Sequence, residues 1–344
     1  MDINSSLFNV TVSDEIVFGR HQFVRERPEV AIPCLIILCL AAIIGTFGNI
    51  LILLAIWKYK KLRHVETIFI VNLALSDLFV TTIGDPMSIL AKLEGEDFFD
   101  SIPHLCRIIG SLCTVSCVSS LMSISALSFN RYFLICHYNI YKTIFTKKNC
   151  VVMCFMFYTV GLTLVLLNLA GYGGHNFDRR SLECIWDRMA TYPYTVVFSI
   201  FLVWIPITVT GFSFLGLYCF VHKKHKNVEK QIRKIEKEHH TSALAKSLFI
   251  IYAVFTTCWI PYSLLIVLDS EDSFSHEVHI YITVFAHLHP SINWIVYYLT
   301  NRNFSKAFRR ILCTKTCAKK LATVLESTSS TEYKTPTSMS ASKI

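Results

Sequence analysis

Seven long apolar runs dominate this chain, at about residues 32–57, 67–91, 103–136, 151–170, 192–221, 241–268 and 278–300. A helix needs about 20 apolar residues to cross the hydrocarbon layer of a bilayer. Lipid offers no hydrogen-bond partners, so each run must satisfy its own backbone, and a helix does so. The expected fold class is all-α, a seven-transmembrane helix bundle. An N-terminal segment (1–31), the bundle (32–300), a short amphipathic helix (301–313) and a tail (314–344) account for the whole chain. Charged residues make up 17%, below the roughly 25% of soluble domains, and the apolar runs exclude two soluble domains of the same total length.

Charge placement predicts the topology. Lys58, Lys60, Lys61, Arg63, Lys142, Lys147 and Lys148 follow odd-numbered runs, as do the Lys-rich linker over 222–240 and Arg302, Lys306, Arg309 and Arg310. The alternate linkers hold Glu94, Glu96, Asp97 and Asp100, then Asp269, Glu271, Asp272 and Glu277. Cytoplasmic loops collect Lys and Arg, so the N-terminus is expected outside and the C-terminus inside, with the plasma membrane as location. The net charge of +9 then describes a basic rim facing anionic lipid and a partner protein, with no call for nucleic acid. Asn4-Ser5-Ser6 and Asn9-Val10-Thr11 are glycosylation sequons on the outer side. No cleavable leader is evident, because Asp2, Asp14 and Glu15 fall where a basic and then apolar start would be needed.

Most of the 13 cysteines lie within the runs and read as small buried apolar residues. Cys106 and Cys184 sit at the outer surface, where an oxidising exterior favours their pairing. Cys313 and Cys317, just past helix seven, suit reversible palmitoylation. Phe304, Phe308, Ile311 and Leu312 recur at helical spacing opposite Lys306, Arg309 and Arg310, which predicts an interfacial helix. The Ser327–Thr331 cluster in the aperiodic tail is a phosphorylation candidate.

Polar groups inside the runs carry the functional argument, because ionisable residues at membrane depth are costly and normally have a task. Asp77 is a mid-bilayer carboxylate with Asn49, Ser120 and Asn293 as candidate neighbours, a set of oxygens able to hold Na⁺ or trap a proton. Helix three ends in Asn130-Arg131-Tyr132. Helix six carries Phe255 and Trp259-Ile260-Pro261, where the proline removes a backbone donor and kinks the helix. Helix seven holds Pro290 and Asn293-Trp294-Ile295-Val296-Tyr297. Trp294 keeps a donor that proline would remove, and Pro290 lies one turn earlier on nearly the same face, so the kink is expected there.

Taken in order on their helices, these motifs resemble the rhodopsin-like (class A) G-protein-coupled receptors over residues 31–313. Within that group the chain looks most like the melatonin receptors. The shared features are Asn-Arg-Tyr running on to Ile135-Cys136-His137, the missing proline between Asn293 and Tyr297, and Phe177-Asp178-Arg179-Arg180 through Cys184. The resemblance implies a heterotrimeric G protein of the inhibitory class as partner, arrestin and a receptor kinase acting on the tail, and no cofactor beyond an allosteric Na⁺. It implies melatonin or a related small molecule as agonist, with Asn168 and Trp186 among its contacts, and Thr114, Cys117, Arg188 and Trp259 complete the expected pocket.

Departures stand beside these. Leu202 occupies the place of a His, Arg188 of a Gln, Phe214 of a Tyr and Trp294 of an Ala. Arg188 reads equally as a ligand contact or as a salt-bridge partner of Asp187 or Glu183. Cys113 excludes the ammonium-binding Asp of amine receptors, and His287 stands where opsins carry their Schiff-base Lys.

Activation is expected as a population shift in which helix six pivots at Pro261 and opens a cleft lined by Arg131 and Tyr297. Asn130 and Thr241 are both neutral where relatives carry acids, which predicts a weakly latched Arg131 and basal signalling. A peptide-gated receptor is the alternative within the class, and an ion-coupled transporter using Asp77, His287 and His289 the alternative outside it. No nucleophile–base pair, metal spacing or phosphate loop suggests an enzyme.

Overall fold

The computed structural model describes residues 18–189, 191–225 and 235–312, with side chains described outside 221–247. The sequons at Asn4 and Asn9, Cys313, Cys317, the Ser/Thr cluster and the Thr241 side chain lie outside those limits. Seven helices form the bundle. They are α1 (Pro28–Lys58), α2 (Thr67–Glu94), α3 (Leu105–Cys136), α4 (Lys147–Tyr172), α5 (192–225), α6 (Ile235–Leu268) and α7, which is split into His276–His287 and His289–Thr300. An eighth, α8 (Arg302–Leu312), follows. The first six are long and apolar enough to span a bilayer unbroken.

The break in α7 falls at Leu288, whose N–H reaches only as far as Phe285 O at 3.2 Å, and Pro290 opens the second half. Proline cannot donate, and its ring crowds the carbonyl four residues back, so the kink lies at Pro290 as expected, one turn before Trp294. The same chemistry widens two other helices. Each has a π turn just before a proline, Val80–Gly84 ahead of Pro86 in α2 and Ile200–Trp204 ahead of Pro206 in α5.

The core lies where α3 meets its neighbours: Leu121, Ile124 and Leu127 pack with Phe69, Leu73, Ile251 and Phe255. Apolar side chains such as Ile43, Trp57, Phe155 and Leu299 face outwards, as lipid contact requires. α8 turns off sharply and buries Phe304 and Phe308, the first stacked on Tyr297 with ring centroids 5.0 Å apart.

The all-α expectation misses one feature. Between α4 and α5 the chain forms an antiparallel hairpin, β1 (His175–Asp178) paired with β2 (Glu183–Trp186). A disulfide from Cys184 to Cys106 pins it to the start of α3, as expected. Four-residue strands without alternation give no periodic signal, so the sequence reads as loop here.

Candidate functional site

Under the hairpin, α2, α3, α5, α6 and α7 enclose a slot of about 60 Å³. Its wall includes Cys113, Thr114, Cys117, Trp186, Leu202 and Trp259. Trp186 forms the lid: its ring stacks on Phe198 at 4.3 Å and its indole N–H donates to Tyr262 Oη at 3.1 Å. Thr114, Cys117, Trp186 and Trp259 are thus where the sequence predicts ligand contacts. Trp259 Nε1, although buried, has no hydrogen-bond partner among the described residues.

Two predicted pocket residues stand elsewhere. Asn168 is buried one layer back, its side-chain nitrogen 3.1 Å from His175 Nδ1, and His175 Nε2 in turn lies 3.3 Å from Thr114 Oγ1. Asn168 therefore supports the pocket wall through His175. Arg188 faces a separate charged cleft of about 500 Å³ above the hairpin. It pairs with neither Asp187 nor Glu183. Its guanidinium binds Asp269 O at 3.1 Å, lies 3.6 Å from Asp269 Oδ2 and contacts Asp272. His279 Nε2 approaches the same Asp269 Oδ2 at 2.7 Å, so this acidic knot is filled by the protein's own cation.

Glu183 serves a different partner. Beneath the hairpin, Lys92 Nζ lies 2.8 Å from Glu183 Oε1, and both side chains are almost wholly buried. Ser88 Oγ donates to the same oxygen at 2.6 Å. His287 bridges Glu183 Oε2 at 3.2 Å and Asp85 Oδ1 at 2.7 Å. Burial opposes the Glu183 charge, but Lys92 and then His287 outweigh it and hold the carboxyl well below its usual range. Lys92, Asp85 and the ligating role of Glu183 escaped the sequence reading, since Lys92 looks like part of the charged rim with Glu94.

Towards the other end, Asp77 forms the predicted polar core. Ser120 Oγ donates to Oδ1 and Asn293 Nδ2 to Oδ2, each at 2.6 Å. Asn49 does not join them. It donates to Gly45 O at 3.0 Å and to Pro290 O at 3.1 Å, tying α1 to the kink of α7. Phe255 is fully buried beneath Trp259, and Pro261 lies inside α6.

Asn130 and Arg131 are buried at the far end of α3, with Tyr297 fully buried on α7, while Tyr132 Oη lies 3.1 Å from His137 Nε2. The weak latch expected for Arg131 is corrected here. Arg131 Nη2 donates to Glu66 Oε1 at 2.7 Å, and both side chains are largely buried. Glu66 directly precedes α2, in a stretch that the sequence marks only as basic rim.

The family profile described as 7 transmembrane receptor (rhodopsin family) matches residues 48–297. The chain belongs to that family. It is a multi-pass membrane receptor that signals through G proteins, not an enzyme. The receptor is similar to the melatonin receptor type 1A of Ovis aries, with 27% identity covering 90% of this chain and 86% of that protein. It is equally similar to the melatonin receptor type 1B-B of Danio rerio, with 27% identity over 86% of each. In structure it resembles squid rhodopsin, with a TM-score of 0.70 and 19% identity over 86% of this chain and 89% of that one. That last likeness concerns the fold alone.

Proposed function

We propose that the receptor binds a small, uncharged and largely apolar agonist beneath the hairpin and relays it to an inhibitory G protein. The hairpin end faces the exterior in this reading, as the distribution of Lys and Arg requires. The observation that carries it is the slot itself. Its wall is apolar apart from Thr114, Glu183, Thr283, His287, the Trp259 indole, and the Trp186 indole and Tyr262 hydroxyl that bond to each other. Glu183 and His287 are already bonded to each other and to Lys92 or Asp85. A ligand charge would find no free partner there, whereas an acceptor atom would meet the unpaired Trp259 N–H. Melatonin and related indoles are therefore the first compounds to test, given the relatives, although Leu202 replaces a polar residue in the wall.

The slot is too small for a peptide, and an agonist of bicyclic size must displace the Trp186 lid. Asp77, Ser120 and Asn293 supply hard oxygen donors of the kind Na⁺ accepts, and Na⁺ would supply positive charge beside that carboxylate. A receptor kinase and arrestin would act on the Ser/Thr-rich tail.

Nucleotide exchange on an inhibitory G protein, measured with the receptor in nanodiscs, tests the reading. Melatonin, neutral indoles and charged peptides form the panel. At least one neutral compound should stimulate exchange, and Trp186→Ala should cut its potency about tenfold through lost aromatic packing. Stimulation by charged peptides alone would defeat it.

A further inference from the structure

Glu66 ends the linker before α2, and its backbone carbonyl accepts the Phe69 and Ile70 N–H groups at 3.1 and 3.4 Å. A carboxylate at a helix N-terminus usually turns back to cap the orphan N–H groups. Here the side chain makes no cap bond. It points to Arg131 instead, at 2.7 Å. The residue beside Arg131 on α3 is the uncharged Asn130, so among the described side chains Glu66 is the carboxylate that meets the guanidinium.

The contact is also single. Arg131 Nε and the nearby Tyr297 Oη are buried without a hydrogen-bond partner among the described residues. An arginine can make up to five such bonds, so this one is held by one anchor with donors to spare. α2 and α3 are closely packed neighbours through Asn72, whose side chain donates to Ser119 and Ser123 at 2.9 and 2.8 Å. The Glu66–Arg131 bond thus lies within a closely packed helix pair.

We propose that Glu66 is the positioning residue that holds Arg131 in the resting receptor, a carboxylate supplied from α2 in place of one at position 130. Coupling then requires Arg131 to exchange Glu66 for groups on the inserted G protein, a step that favours the splayed position of α6. This rests on the receptor coupling to a G protein, so its test carries a readout independent of that partner.

The experiment compares wild type, Glu66→Gln, Asn130→Asp and the Glu66→Gln/Asn130→Asp pair in nanodiscs without ligand. It records basal nucleotide exchange on an inhibitory G protein. It also records spin-label distances between the Arg131-end termini of α2 and α6, with labels introduced as unnatural residues. A resting receptor with a minor active population leaves room for about a tenfold rise. Glu66→Gln should produce a rise of that order and shift the distances towards the splayed population. The double variant should return close to wild type, because Asn130→Asp restores a carboxylate next to Arg131. A purely structural Glu66 would lower surface expression without this rescue.

Wild-type exchange and distances in Glu66→Gln, or failure of the double variant to reverse them, overturn the proposal. If wild type drives no exchange at all, the coupling reading fails while the distances still decide the role of Glu66. Should Glu66→Gln not reach the membrane, Glu66→Asp, which keeps the charge on a shorter arm, must show a smaller shift in the same direction, and its absence counts against the proposal.

Discussion

The two ends of the bundle are built on opposite plans. At the hairpin end, buried charges are bonded to one another: Lys92 to Glu183, His287 to Asp85 and Glu183, Arg188 to Asp269 and Asp272. At the Arg131 end, one buried ion pair stands among the described residues, beside Arg131 Nε and Tyr297 Oη, which lack a described partner. Neither end is wholly satisfied, since Asp85 Oδ2, Arg188 Nε and the Trp259 indole also lack described partners. A network of several mutually bonded charges nevertheless specifies one arrangement more firmly than a single pair does. The difference points to rigidity at the end that frames the slot and to rearrangement at the Arg131 end.

The sharpest attempt to break this contrast removes Lys92. Lys92→Met leaves Glu183 buried without its cation, and breaking a buried pair from one side costs about 3–5 kcal/mol. We expect a large fall in Tm in detergent and little receptor at the surface. Lys92→Met/Glu183→Gln should recover much of the loss, because no uncompensated charge remains. If Lys92→Met were as stable as wild type, the hairpin end would not be held by its charges.

A second test asks what holds the other half, where buried ion pairs among the described residues are few. A Cβ on Gly48 would sit 1.8 Å from Trp294 Cδ1, so α1 and α7 meet there through the absence of a side chain. Gly48→Ala should cost about 2 kcal/mol through overpacking. Gly48→Ala/Trp294→Ala should restore stability, measured as Tm, since the smaller ring position readmits the methyl group. An unaffected Tm in Gly48→Ala alone would mean that this seam is loose.

The sequence makes the contrast only half legible. Apolar runs announce the helices, and Asp77, Ser120 and Asn293 are conspicuous because polar residues in an apolar run have few reasons to be there. Pro290 likewise foretells the break in α7, since its backbone chemistry is local. Glu66 and Lys92 are hidden for the converse reason: both stand in charged stretches at helix ends, where exposure is the ordinary outcome. Arg188 finds its partners 81 and 84 residues along the chain, and no spacing encodes a contact that tertiary folding alone creates. Asn168 stands behind the slot and not in its wall, because His175, which intervenes, lies in a hairpin that carries no periodic pattern.

His175 offers the gentlest test of the hairpin end, because it is buried there as a neutral group. Asn168 Nδ2 faces its Nδ1 and Thr114 Oγ1 its Nε2, an arrangement satisfied by an imidazole that accepts at Nδ1 and carries its hydrogen on Nε2. Burial first, and then the positive charge of Arg107, lower its pKa from 6.5 to about 4. The sign follows from linkage. Above pH 6.5 neither the folded nor the unfolded form is protonated, and the group contributes nothing. Between 6.5 and 4 the unfolded chain takes up the proton and the folded one does not, so stability falls as the solution is acidified. From pH 8 to 5.5 the loss attributable to this group should be about 1.4 kcal/mol. His175→Gln cannot titrate and should flatten that part of the Tm profile, and the wild-type-minus-variant difference isolates His175 from the other histidines. Glu183 and Asp272, whose carboxyls are held below their usual ranges by neighbouring cations against the opposing effect of burial, lose their contribution only in stronger acid. A difference profile that stays flat from pH 8 to 5.5 would show that the hairpin admits water around His175, and the closed plan of that end would then need revision.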